Sequence, residues 1–518
     1  MLLQSFLEQS AHEHPEKVAL VVDQNRSTYL ELDQQSNRLA NALVQRGVER
    51  GDRVAIHLDN ALESVVSIFA VLKAGGVFVM VNPTTKIDKL IYVLNNCRAS
   101  ALIIPEKKRN TILEHSDLLP HLRTAVTVGP ATQQLEDNDL QMPRFESWEQ
   151  LQAEFSESIT PPNVPTISVD LAALVYTSGS TGNPKGVMLT HLNMTSAARS
   201  ITTYLMNEPD DIILNVLPLS FDYGLYQLLM AFRVGATLVL EKSFTYPHAI
   251  LQRIIDEQVT GFPLVPTISA ILLKMDLSKY DFSKLRYITN TGAALPTEHI
   301  LTFRKRLPHV QIFSMYGLTE CKRVSYLPLD QVDIRTGSVG IAMPDTEVFI
   351  VDDKGHRLPP EQVGELVVRG ANVMKGYWEA PERTAERLKP AEIPNEMYLY
   401  TGDLFRMDRE GYLYFVGRRD DIIKSRGEKV SPKEVENVLF AHEGISEAAI
   451  VGDPDAVLGQ SIRAIVTLMP YQELTEKEVL AYCRKHLEDF MVPQKIEFRD
   501  ELPKSPNGKI DKKQLTLP

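Results

Sequence analysis

The residues best suited to chemistry lie between Tyr176 and Gly186, in the string Tyr-Thr-Ser-Gly-Ser-Thr-Gly-Asn-Pro-Lys-Gly. It follows an apolar, strand-like run from Leu171 to Val175. Thr177, Ser178, Ser180 and Thr181 offer hydroxyl donors, while Gly179 and Gly182 let backbone N–H groups come close to an anion. Lys185 adds a point charge. Such a set suits a polyphosphate. It is not a Walker A loop, because no Gly-Lys-Ser/Thr follows the first glycine at the required spacing. Four shorter polar strings come later: Tyr316-Gly317-Leu-Thr319-Glu320, Tyr400-Thr-Gly-Asp403, Gly417 to Lys424 with Arg426-Gly427, and Pro506-Asn-Gly-Lys509. Taken singly they say little. A loop aspartate such as Asp403 is usually a turn former, and a lysine near a chain end, such as Lys509 or Lys504, is usually solvated.

These strings need a scaffold. A chain of 518 residues exceeds one hydrophobic core, so two to four domains or subdomains are expected. Lys17–Asp23 reads as a strand, Leu30–Arg46 as a helix, Asp52–Leu58 as a strand, and Leu62–Ala74 as a helix stopped by Gly75-Gly76. Val77–Val81 is the next strand. This rhythm points to α/β layers with largely parallel sheets. From about Glu136 to Val169 the chain is rich in Pro, Ser and Glu and reads as a surface connection. Short strands are expected again at Ile212–Leu217, Thr237–Glu241, Arg286–Thr289 and Gln311–Ser314, and a β-rich subdomain at Thr346–Arg369. Arg418-Arg419-Asp420-Asp421 reads as a linker to a small α+β module. The expected organisation is a core over 1–418, of layered α/β subdomains plus a β-rich one, and a small domain over 419–518.

Composition narrows the function classes. Hydrophobic residues make up 44% and charged residues 24%, ordinary for a soluble enzyme. The net charge of −12 argues against a general binder of nucleic acid or anionic membranes. Cys97, Cys321 and Cys483 form no CxxC pair, which disfavours a disulfide framework or structural zinc and fits a cytoplasmic setting. The N-terminal residues lack the basic and apolar regions of a signal peptide, and no window approaches about 18 consecutive apolar residues. His191 reads as structural. Cys321 has no evident histidine partner and does not read as a nucleophile.

The five strings together, in this order, resemble the adenylate-forming superfamily: acyl-CoA synthetases, nonribosomal-peptide adenylation domains and firefly luciferases. The resemblance spans almost the whole chain. It implies ATP and Mg²⁺ as cofactors and joining of a carboxylate to the α-phosphate with loss of pyrophosphate. Two anions must meet, so cations and donors aimed at the transition state are needed. By resemblance, Thr177–Gly182 and Lys185 hold the phosphates, Thr319 contacts phosphate, and Glu320 is the metal ligand. Gly292, Ala293, Ala294, Tyr316 and Gly317 line the nucleotide, with Tyr316 stacking on adenine. Asp403 would accept the ribose hydroxyls, Arg418 would reach the nucleotide, and Lys509 would bridge carboxylate and phosphate. The family transfers the acyl group to a thiol after rotating its C-terminal domain. Asp420 matches the hinge position, and Lys424 and Gly427 would then line the thiol channel.

The acid is addressed by Leu217 to Leu225. Many acyl-CoA synthetases have histidine where Phe221 stands, whereas amino-acid adenylation domains commonly place an aromatic residue followed by Asp there. Asp222 is therefore expected to face the substrate and pair with an α-ammonium, although a helix-capping role is the plain alternative. Tyr223, Tyr226, Pro263, Thr289, Thr291, Met315, Arg323 and Val324 are the other pocket positions, and their bulk favours a small side chain or ring. Arg323 departs from the family pattern. The closest resemblance is to stand-alone enzymes that load an amino acid, notably L-proline, onto a separate carrier protein. Alternatives are an acyl-CoA ligase for a fatty or aryl acid, with CoA as acceptor, and a non-catalytic nucleotide-binding homologue.

Overall fold

Short runs of Val, Ile, Ala and Leu become strands, and the amphipathic segments between them become the covering helices. The computed structural model describes residues 1–130, 143–177, 184–293, 295–425, 428–455, 457–505 and 509–516. The chain divides into two compact units. The first comprises Met1–Pro263, Leu318–Arg323 and Gly370–Glu386; the second comprises Leu264–Gly317, Val324–Arg369 and Arg387–Pro518.

An eight-stranded sheet organises the first unit, in the order Gly376–Tyr377, Lys185–Thr190, Leu171–Thr177, Val77–Met80, Arg53–Ile56, Ala99–Pro105, Thr124–Val128, Arg144–Ser147. Its neighbours from Leu171–Thr177 through Arg144–Ser147 run parallel. Such strands are covered on both faces and therefore read as continuous apolar runs. The other end is antiparallel: Lys185–Thr190 folds back on Leu171–Thr177, and Gly376–Tyr377 adds to its far side. A second set of strands in this unit pairs Val18–Val22 with Thr237–Leu240, and that strand with Ile212–Asn215, all in parallel.

Helix ends follow local chemistry. Tyr29–Gln45 opens on a capping box between Thr28 and Glu31, and His191–Tyr204 on one between Thr190 and Asn193. Leu62–Lys73 is buried along nearly its whole length. Its terminal Lys73 is only 4% exposed, and its ammonium donates to Asp33 Oδ1 at 2.6 Å, Ser36 Oγ at 2.7 Å and Asn37 Oδ1 at 2.7 Å. Burying that charge is tolerable because its donors are satisfied.

In the second unit, Tyr287–Asn290 and Gln311–Tyr316 pair in parallel; the chain then turns antiparallel through Ser325–Tyr326, Ser338–Ala342, Leu413–Arg418, Met397–Met407 and Val363–Gly370. The C-terminal part has its own antiparallel pair, Ile445–Asp455 with Gly459–Leu468, joined in parallel by Lys495–Phe498. Helices Pro432–Phe440 and Glu476–His486 contribute Val435, Leu439, Val479 and Cys483 to a core with Ile450 and Ile462.

The α/β class, the β-rich segment and the small C-terminal α+β fold agree with the sequence expectations. The supposed surface connection does not. Arg144–Ser147 is an edge strand paired with Thr124–Val128, followed by helix Trp148–Glu154. Ser147 caps that helix, and Trp148 and Leu151 are buried. A polar composition masked a short element anchored by two apolar residues. The linker reading of Arg418–Asp421 also needs adjustment, because Arg418 closes strand Leu413–Arg418 and only the turn after it is irregular.

Candidate active site

The first unit assembles part of the site around the turn Leu318–Arg323. Cys321 and Lys322 both donate their N–H to the Leu318 carbonyl, at 3.1 and 2.7 Å. Lys322 has φ 69°, a left-handed conformation that costs a residue with a Cβ about 1 kcal/mol. Asn372 holds the turn, its side-chain amide donating to the carbonyls of Cys321 at 2.8 Å and Arg323 at 3.0 Å. On the same turn, Glu320 accepts from the Tyr377 hydroxyl at 2.7 Å. Lys185 lies over the Tyr377 ring, 5.4 Å from its centroid. Tyr377 therefore connects the lysine of the glycine-rich string to the carboxylate of Tyr316–Glu320. It reaches this place because Gly376–Tyr377 pairs with Val187 and Met188. Nothing in the local sequence marked a two-residue strand as part of a site.

The turn also meets the helix Asp222–Val234. Lys322, 2% exposed, places its ammonium 3.4 Å from Asp222 Oδ2, donates to the Asp222 carbonyl and lies 3.8 Å from the Tyr226 ring centroid. Burial pulls its pKa down to about 7; Asp222 opposes that shift and Arg323 adds to it. Arg323, also 2% exposed, sits over Tyr223 at 4.9 Å. Phe221 is buried just before the helix and meets Tyr223 edge to face at 6.2 Å. Gly224 allows the helix to start here, since a Cβ would lie 2.3 Å from the Pro218 carbonyl oxygen. Phe221, Asp222, Tyr223, Tyr226 and Arg323 are thus brought together. Lys322, which the sequence reading passed over, completes the group. The expected Asp222–α-ammonium pairing meets a fact the sequence did not disclose: an ammonium of this chain already stands at that carboxylate.

The second unit carries the other strings. The Tyr316 hydroxyl donates to Asp403 Oδ2 at 2.5 Å, and Arg418 Nε lies 3.4 Å from Asp403 Oδ1. The Tyr316 ring meets Phe405 edge to face at 4.7 Å and lies 6.3 Å from Phe415 at an interplanar angle of 30°. Gly402 takes φ 74°, and a Cβ there would come 2.1 Å from Arg387 Nη1, so the Tyr-Thr-Gly-Asp string needs its glycine. Thr289, Thr291, Met315 and Val324 are buried in this unit, and Gly317 ends its Gln311–Tyr316 segment. Gly292 has φ 84° just after Tyr287–Asn290, with Ala293 next to it.

In the C-terminal part, Asp420 is exposed in a turn whose Asp421 and Ile422 N–H groups donate to the Arg418 carbonyl. Lys424 is exposed on strand Ile423–Ser425, its backbone N–H on Gln460 Oε1 at 2.8 Å. Lys509 is half-buried, and its carbonyl accepts from the Ser505 N–H at 2.7 Å beside the bridge between Lys504 and Ile510. Lys504 itself pairs with Glu447 at 2.9 Å. Ser178, Gly179, Ser180, Thr181, Gly182, Ala294 and Gly427 lie outside the described residues. His191 is buried with Nδ1 accepting from the Leu3 N–H at 3.0 Å, and burial pulls its pKa to about 4, consistent with a structural role. Cys321 is fully buried.

Among the described residues no group of three or more His, Cys, Asp or Glu side chains could cage a metal. Half-buried Glu320 fits the other arrangement, in which Mg²⁺ takes one carboxylate and completes its shell with phosphate oxygens and water.

Comparison with known proteins identifies the family. Residues 7–378 match the AMP-binding enzyme family, and residues 434–509 match the AMP-binding enzyme C-terminal domain. A long-chain-fatty-acid–CoA ligase of Bacillus subtilis is 32% identical over 99% of this chain and 94% of its own length. Tyrocidine synthase 1 of Brevibacillus parabrevis is 29% identical over 100% of this chain and 45% of its own length. Two solved structures are also similar. The anthranilate CoA ligase AuaEII in complex with anthranoyl-AMP has a TM-score of 0.88 and 27% identity, covering 99% of this chain and 96% of that one. The O-succinylbenzoate coenzyme A synthetase of Bacillus subtilis, in complex with ATP and magnesium ion, has a TM-score of 0.82 and 28% identity, covering 98% of each chain. The chain belongs to the AMP-binding enzyme family. It is an AMP-forming ligase that activates a carboxylic acid with ATP and Mg²⁺. No helix among the described residues is long and apolar enough to cross a membrane.

Proposed function

We propose that this chain is an acyl-CoA ligase for a compact, aryl-type carboxylic acid. The single observation carrying the choice of acid is the Lys322–Asp222 contact at 3.4 Å. A substrate α-ammonium would have to share a carboxylate that a buried lysine already uses. Full-length similarity to acyl-CoA ligases supports the same reading. Tyr223 and Tyr226, both buried, leave room for a ring more readily than for a long chain.

In this reading the acid's carboxylate oxygen attacks the α-phosphorus of ATP, and the P–O bond to pyrophosphate breaks. Thr177–Gly182 and Lys185 neutralise the departing diphosphate. Thr319 and Glu320 act beside them, with Mg²⁺ supplying further charge compensation when bound. Tyr316, Gly292, Ala293, Ala294 and Gly317 border the adenine. Asp403 and Arg418 orient the ribose, and Lys509 positions the attacking carboxylate. The thiol sulfur then displaces AMP from the acyl carbon after 419–518 rotates about Asp420, with Lys424 and Gly427 beside the incoming arm.

Pyrophosphate exchange over a panel of benzoate, hexanoate and L-proline, followed by acyl transfer to CoA, tests the proposal. Benzoate should support exchange and yield a CoA thioester. Exchange with proline alone, and loading of a carrier protein instead of CoA, would return the assignment to an amino-acid-activating enzyme. The similarity to tyrocidine synthase 1 is what favours that second reading. Lys509→Ala should slow adenylation about 100-fold or more, the usual cost of deleting a donor aimed at the transition state. Thioester formation from preformed acyl-adenylate should change little. Equal loss in both steps would remove Lys509 from its assigned role.

A further inference from the structure

We propose that the acid activated here carries a second carboxylate, and that Arg323 is its counter-ion. The inference rests on the acid-activating reading and narrows its substrate class.

Arg323 is 2% exposed. Its Nη1 donates to the Lys322 carbonyl at 3.3 Å, while Nε and Nη2 have no hydrogen-bond partner among the described residues. A guanidinium cannot escape burial by losing its proton, as an ammonium can. Its cation is therefore permanent, and it is shielded from water. The neighbouring carboxylate, Asp222, has Lys322 at 3.4 Å. The turn and the helix start together bury two cationic side chains beside one carboxylate.

The identity of the two unpaired atoms matters. Nε and Nη2 form one edge of the planar fork, the edge that grips a carboxylate through two parallel hydrogen bonds. The guanidinium lies over the Tyr223 ring, 4.9 Å from its centroid. Asn372 holds the Arg323 carbonyl at 3.0 Å, so the backbone beneath the side chain is also fixed. The first turn of helix Asp222–Val234 adds the positive end of a 13-residue macrodipole. These features stand against Tyr223, beside Asp222 and Tyr226, the positions assigned above to the acid. An aryl or short aliphatic diacid could then present one carboxylate for activation and the other to Arg323.

The test uses the full-length protein, with Arg323→Met and Arg323→Gln, and matched pairs of acids: benzoate against isophthalate and terephthalate, hexanoate against adipate. For the wild type, kcat/KM in pyrophosphate exchange should be at least about 10-fold higher for a diacid than for its monoacid, because a site built for a charge rejects the analogue lacking it. R323M should lose that preference, its diacid kcat/KM falling about 10-fold towards the monoacid value. R323Q, which keeps two donors, should fall between and serves if R323M does not fold. Wild-type preference for the monoacids, or equal slowing of both sets by either variant, would overturn the proposal.

Thermal shift without ATP separates this inference from the reading beneath it. If no acid supports exchange, the acid-activating reading fails. A diacid that raises the melting temperature of the wild type, but not of R323Q, would still establish the anion site. No shift with any diacid, alongside no preference in exchange, would refute it.

Discussion

Lys73 and Arg323 are both buried cations of the first unit, at 4% and 2% exposure, yet the protein treats them differently. Lys73 is surrounded by acceptors: the carboxylate of Asp33, the hydroxyl of Ser36 and the amide oxygen of Asn37, all within 2.7 Å. Arg323 has one carbonyl at 3.3 Å and an aromatic face. A structural charge is paired within the fold, because burying it alone would cost several kcal/mol. Beside helix Asp222–Val234, Nε and Nη2 of Arg323 meet no hydrogen-bond acceptor among the described residues. Lys322 stands between these cases. It has Asp222, but burial still lowers its pKa to about 7.

That contrast can be broken by substitution. Lys73→Met should be the most damaging, lowering stability by about 3–5 kcal/mol because it strands Asp33 and its neighbours. Urea denaturation would measure the loss, and acid selectivity in the surviving folded protein should be unchanged. A mild loss would mean that the Lys73 network is not a structural necessity. Asp222→Ala should cost less, about 2 kcal/mol, because Lys322 can relieve itself by deprotonating. A loss as large as that of Lys73→Met would show that Lys322 cannot adapt.

The last effect is in pH. Lys322 has a folded pKa of about 7 and a higher unfolded value, so between them the unfolded chain binds more protons. Its burial penalty is therefore complete below about pH 7 and fades as pH rises towards the ordinary lysine value of about 10.4. Wild type should gain stability from pH 7 to pH 9 relative to Lys322→Met, read as the difference between their urea midpoints. Parallel midpoints at both pH values would mean that Lys322 keeps its proton throughout.

Much of this protein was legible before its structure. The parallel strands announced themselves because a strand covered on both faces must be apolar throughout. The helices from Leu30 and Leu62 were visible within a residue or so at each end, since periodicity and the Gly75-Gly76 stop are local signals. The strings holding Thr319, Glu320, Asp403 and Lys509 stood out because each combines special backbone residues with charged or polar ones.

What the sequence determined by itself was therefore the class of fold and the kind of reaction, both written in short-range patterns. Only tertiary structure decided which side chains answer one another. Tyr316 and Asp403 are 87 positions apart, Glu320 and Tyr377 57, and Lys322 and Asp222 100, so no local pattern could pair them. The charge around Asp222 is a sum over groups folded together from distant segments. A sequence displays Asp222 as an available carboxylate, whereas the fold has placed a lysine against it and left Nε and Nη2 of the next residue, Arg323, without a hydrogen-bond partner among the described residues.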